Sequence, residues 1–176
     1  MTAFTVIYVA AVITAFVIYM VKSSGNAKRK KYCYGAEKLI RDDMLEYSLK
    51  NPFRGGNPNP PSSKRLMLAV KTKAAGQKQT MVFDPLKPVY VGRDKDNHIR
   101  LYNPGVSGRQ AVIFYSDGKL WIKNTSSSHS FEVKKGLFNA VKTAPGKTVR
   151  LKNGNVIRLS GSRIKVIIFI FDINFN

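Results

Sequence analysis

Two ways of stapling a small fold are missing from this chain. It has one cysteine, Cys33, and two histidines, His98 and His129. A single thiol cannot close an internal disulfide, and two imidazoles fall short of the three or four ligands of a zinc site, so neither a metal nor any other cofactor is expected. Acidic residues are also scarce, 10 Asp and Glu against 30 Lys and Arg, for a net charge of +20 over 176 residues. That imbalance disfavours basic partners and leaves acidic ones: a phosphorylated or acidic protein, anionic lipid or nucleic acid. No serine–histidine–acid arrangement has recognisable surroundings. The one phosphate-loop lookalike, Pro145-Gly146-Lys147-Thr148, has Val141 where the first glycine belongs and reads as a turn before a strand. An enzyme is therefore not expected.

Long uncharged runs are confined to the start. Thr2 to Val21 carries no charge and has the ~20 residues that a helix needs to cross a bilayer core. It lacks the positive leading region and the small-x-small cleavage site of a secretory signal, so residues 1–21 are expected to form a retained transmembrane helix. Lys22, Lys28, Arg29, Lys30 and Lys31 follow at once. By the positive-inside bias they place the N-terminus outside the cell membrane and the rest in the cytoplasm, and they are placed to meet anionic headgroups.

Residues 22–61 are expected to hold this basic segment, a short amphipathic helix and a linker. The helix is read from Ala36, Leu39, Ile40, Met44 and Tyr47 at helical spacing among Glu37, Asp42, Asp43 and Glu46, and Asn51-Pro52 ends it. Proline, glycine, asparagine and serine then crowd Asn51 to Arg65, which reads as linker. Beyond Pro52 no helical period of useful length occurs. The texture becomes short β-rich runs from Leu66 to Ile173, punctuated by turns such as Asp117-Gly118 and Asn153-Gly154. A β-sandwich domain over residues 62–176 is expected. Nine of the 30 cations and four of the 10 acids precede Ser62, leaving 21 against 6, so this domain is basic in its own right. Its last run, Ile164 to Ile173, is apolar on both faces and reads as a central buried strand.

Four segments, in order and spacing, resemble a known family. Val91-Gly92-Arg93 with Asn97-His98-Ile99 resembles a Gly-Arg strand end followed by an asparagine-x-isoleucine strand. Ser107-Gly108-Arg109-Gln110-Ala111 resembles a Ser-x-x-His-Ala segment with glutamine for histidine. Asn124 to Phe131 stands where Asn-Gly-Thr usually closes a loop, and Leu151-Lys152-Asn153-Gly154-Asn155 resembles a Leu-x-x-Gly-Asp turn. The family is the forkhead-associated (FHA) domain, a phosphothreonine-reading β-sandwich. The resemblance implies that Arg93 pairs with the phosphate, that the hydroxyl and backbone of Ser107 donate to it, that Ser128 lines the phosphothreonine pocket, and that Gly108 and His129 contact the peptide backbone. A guanidinium fork suits a phosphate better than an ammonium does. Gln110, His129 and Phe131 depart from the family pattern, and Gln110 is expected to brace the Ser107 loop with an amide that both donates and accepts.

The expected whole is an all-β, FHA-like two-sheet sandwich preceded by a transmembrane helix and a short amphipathic helix. Its expected role is a membrane-anchored interaction module that reads phosphothreonine peptides and assembles partners. The alternative is a degenerate FHA-like scaffold subunit that binds its partner without phosphate. Nucleic acid is disfavoured because arginines and aromatics are not interleaved as base-stacking surfaces require.

Overall fold

The computed structural model describes residues 3–50, 64–74, 76–136 and 139–172; the side chains of 3–10, 44 and 46–50 and the linker at 51–63 lie outside that description. Two compact units divide the chain, Met1–Gly35 and Ala36–Asn176.

One helix, α1, runs Ala3–Lys50. The separate short amphipathic helix is thus corrected: its residues continue the helix that begins at Ala3. Between the apolar run and Tyr34 the weakest helix former is Gly25, and there is no proline. Extending a formed helix through one glycine costs about 1 kcal/mol, and no new nucleus is needed. The transmembrane expectation is not carried by the structure either. Among the described residues no helix is long and apolar enough to cross a membrane. Ala11 to Val21 are exposed, but eleven residues span about half of a hydrocarbon core; the rest of the expected span falls on positions whose side chains are not described.

The second unit is the expected two-sheet sandwich. Along the chain come β1 (Lys64–Ala74), β2 (Gln77–Phe83), β3 (Val89–Gly92), β4 (Ile99–Arg100), β5 (Ala111–Ser116), β6 (Lys119–Asn124), β7 (Phe131–Lys134), β8 (Ala140–Thr143), β9 (Thr148–Leu151), β10 (Val156–Leu159) and β11 (Ser162–Asp172). A six-stranded sheet has the order β2-β1-β11-β10-β7-β8 and a five-stranded sheet the order β4-β3-β5-β6-β9. Every pairing is antiparallel except β3 with β4. Alternation builds the core between them: Leu68 and Val70, Val133, Ile157, Ile164 and Val166 from one sheet meet Val91, Ile113, Ile122 and Leu151 from the other. Asp117 and Gly118, both at positive φ, close the β5–β6 hairpin with two residues, as the right-handed strand twist favours.

On the opposite face of β1, Met67 and Ala69 are also buried, as are Ala36 and Ile40 of α1. The Lys87 ammonium lies 3.0 Å from the Asp43 carboxylate, tying α1 to the turn between β2 and β3.

The last strand differs in part from its sequence reading. β11 is central in pairing, between β1 and β10, yet Ile170 is 63% exposed. β11 has eleven residues and the strands of the facing sheet at most six, so among the described residues its far end extends past the facing sheet.

Candidate functional site

Register brings three loops to one end of the five-stranded sheet. Val91 lies opposite Ala111, and Ala111 opposite Asn124. The end of β3, the start of β5 and the end of β6 are therefore adjacent, and the loops 93–98, 101–110 and 125–130 meet above them. All five residues expected in the site, Arg93, Ser107, Gly108, Ser128 and His129, are on these loops.

The first two loops are laced by backbone bonds. Arg93 N–H donates to the Ser107 carbonyl at 3.0 Å and Asp94 N–H to the Gly108 carbonyl at 3.1 Å. Asn97, 8% exposed, adds its Nδ2 to the Gly108 and Asp94 carbonyls at 2.7 and 3.0 Å. Gly92 is glycine for a steric reason: a Cβ there would run into the Gly108 carbonyl oxygen and lie 2.9 Å from Asn97 Nδ2. A Cβ on Gly108 would likewise strike the Asp94 carboxylate. The Arg93 side chain is exposed.

Beneath them sits an amide ladder. Gln110, 2% exposed, accepts from Ser107 N–H through Oε1 at 3.0 Å and donates through Nε2 to Asn124 Oδ1 at 3.2 Å and to the His129 carbonyl at 2.9 Å. Asn124, fully buried, donates to the carbonyls of His129 and Thr143 at 2.8 and 2.9 Å, while its Oδ1 takes Ser126 N–H at 3.1 Å. Gln110 thus joins the Ser107 loop to the next loop, as its two-sided hydrogen-bonding capacity foretold. It also corrects one implied role: the Ser107 N–H is turned inward to Gln110, so of the two donors assigned to Ser107 only the hydroxyl is left for a ligand.

The hydroxyls form a chain whose proton order follows from counting. Ser126 Oγ accepts from Ser128 N–H at 3.2 Å and from His129 N–H at 2.9 Å, filling both lone pairs. Its single proton therefore goes to Ser107 Oγ, 2.8 Å away. Ser107 in turn has its own proton to give, either to His129 Nδ1 at 3.1 Å or to an incoming anion. Ser128 Oγ stands 3.0 Å from the same nitrogen. Ser107, Ser128 and His129 are in direct contact; Arg93 joins them through its main chain, and Gly108 through its carbonyl. Ser126 and Asn124 were given no role in the sequence, and Asn97 entered only as the asparagine of the asparagine-x-isoleucine resemblance. Ser126 is one serine of a run of three and Asn124 ends β6, so their signal was present only as residues able to satisfy loop backbone.

Residues 89–160 match the family model of the FHA domain. The matched stretch runs from β3 to the end of β10 and takes in all three loops of the apex. Solved FHA domains are similar to the chain. One from an Arabidopsis thaliana hypothetical protein is 20% identical with a TM-score of 0.49, covering 69% of this chain and 98% of that one. The FHA domain of the CT664 protein of Chlamydia trachomatis is 20% identical with a TM-score of 0.48, covering 57% and 96%. Another, solved in work on phosphothreonine-dependent FHA interactions, is 24% identical with a TM-score of 0.44, covering 57% and 95%. No curated protein matches the chain.

Proposed function

We propose that the loop apex of this FHA-like domain recognises a phosphothreonine-bearing peptide and so recruits a protein partner. The observation that carries the reading is the convergence of Ser107 Oγ, Ser128 Oγ and His129 Nδ1 beside the strand end that bears Arg93. Ser107 arrives with one lone pair taken by Ser126 and its proton to give, which suits an anion. Arg93 supplies charge in a planar fork, and the basic domain steers a dianion to the apex. The test is titration of the full chain with a phosphothreonine peptide library and matched unphosphorylated peptides. Arg93→Ala is expected to weaken binding by about 2–5 kcal/mol and Ser107→Ala by about 1–2 kcal/mol, with Arg93→Lys recovering only part of the first loss. Arg109 stands 5.9 Å from the Tyr90 ring, and Arg109→Ala is the control for charge without geometry. Equal weakening by Arg93→Ala and Arg109→Ala would replace the pocket with diffuse attraction.

A second reading, a scaffold that binds without phosphate, is favoured by the Asp94 carboxylate packed beside Gly108, which adds negative charge to the apex. Equal affinity for phosphorylated and unphosphorylated peptides would establish it.

The proposal also places the domain on the cytoplasmic side of a cell membrane, with Thr2 to Val21 as the span and the Lys22 to Lys31 cluster inside. Its support is the uncharged run and the cations that follow it. Release of the chain by alkaline extraction, or labelling of a cysteine placed in the sandwich by an impermeant reagent in intact cells, would overturn it.

A further inference from the structure

The outward face of the six-stranded sheet carries two cross-strand rows of cations that the loop apex does not use. In one row the register sets Lys78 opposite Lys73, Lys73 opposite Arg163, Arg163 opposite Arg158, and Arg158 opposite Glu132, which faces Lys142. In the next row, two residues along, Thr80 lies opposite Lys71, Lys71 opposite Lys165, and Lys165 opposite Val156, which faces Lys134. The core-facing residues of these strands are Val70, Ile164 and Ile157, so by alternation the cations all point away from the core. Like charges directly opposite one another destabilise a sheet, and here they recur across four strands. Glu132 is the one acid in either row. Among the described residues Lys73, Lys78, Arg158, Arg163 and Lys165 make no ion pair, and the buried Nε of Arg158 has no hydrogen-bond partner.

The part of these rows on β2, β1 and β11 lines a groove of about 310 Å³ whose walls include Lys71, Lys73, Lys78, Arg163 and Lys165. That volume is at the small end of ligand pockets. Besides Lys71, four cations, Lys73, Lys78, Arg163 and Lys165, line it on strands about 4.8 Å apart, where a single phosphate could meet only two or three. Among the described residues no aromatic side chain lines the groove, so they offer bases nothing to stack on.

We infer that this groove is a second anion site, distinct from the peptide apex, for a compact ligand carrying two or more clustered phosphates. A phosphorylated lipid headgroup and a free polyphosphate share that chemistry.

Calorimetric titration of the full chain at about 0.15 M salt separates them, with tripolyphosphate, the soluble trisphosphate headgroup of a phosphoinositide, orthophosphate and a single-stranded oligonucleotide as probes. Binding of tripolyphosphate or the headgroup roughly tenfold tighter than orthophosphate is expected, and whichever is preferred identifies the source. Lys73→Gln with Arg163→Gln should weaken that binding at least about tenfold, whereas Lys123→Gln with Arg150→Gln, on the other sheet, should leave it unchanged. The first double variant should also melt at a higher temperature without ligand, because it removes facing like charges; this readout shows that lost binding is not lost folding. Equal weakening by the two double variants, no preference over orthophosphate, or tightest binding of the oligonucleotide would overturn the proposal.

Discussion

At the scale of single residues, the apex depends on amides that never reach a ligand. Gln110→Ala removes one acceptor and two donor contacts from a nearly closed site, leaving Ser107 N–H without its partner. Denaturant unfolding should show a loss of about 1–3 kcal/mol, the cost of orphaning buried polar groups; an unchanged midpoint would mean that water replaces the amide at no cost. Gly92→Ala is expected to be worse for binding than for stability. Its new Cβ meets the Gly108 backbone oxygen, and backbone can yield only by moving the 101–110 loop away from Arg93. A fall of about 1–3 kcal/mol in stability should accompany loss of the proposed phosphopeptide binding, and retained affinity would show that the loops are not positioned by this contact. How far the sequence disclosed this site follows from the same residues. Gln110 was readable because a side chain replacing a histidine brace must offer both an acceptor and a donor. Ser126 was not, since nothing local distinguishes it from Ser127 and Ser128; only the register of β6 turns its side chain, 6% exposed, beneath the loop.

At the scale of elements, short β-rich runs between turns disclosed the described strands with one exception. β8 escaped. Ala140–Thr143 has Val141 as its one large apolar side chain, its other inward residue is the buried Thr143, and it pairs with β7 alone at the sheet edge. The helix boundary escaped for the opposite reason, since Ser23 to Asn26 resemble a break but forbid nothing. That gives a direct check. Gly25 has open space around its Cα, so Gly25→Ala should raise helicity by circular dichroism and stabilise α1 by about 1 kcal/mol. Were residues 22–33 a non-helical connector, the substitution would leave the spectrum unchanged.

At the scale of the whole molecule, a net charge of +20 repels itself. Screening with salt, which shortens the Debye length from about 14 Å to about 4 Å between roughly 0.05 and 0.5 M, should therefore raise the melting temperature of the sandwich. A fall would show that attractive pairs outweigh repulsion. The first cationic row also ends on β2 and β8, the two edges of the six-stranded sheet, as Lys78 and Lys142. A free edge is a template on which another chain can add a strand, and a lysine there is a common guard against it. The repulsion that weakens the folded monomer is thus also what keeps monomers apart. Neutralising it, whether by Lys78→Val or by a saturating polyanion, should leave each molecule firmer and the solution less colloidally stable, a divergence that light scattering beside a melting curve would reveal.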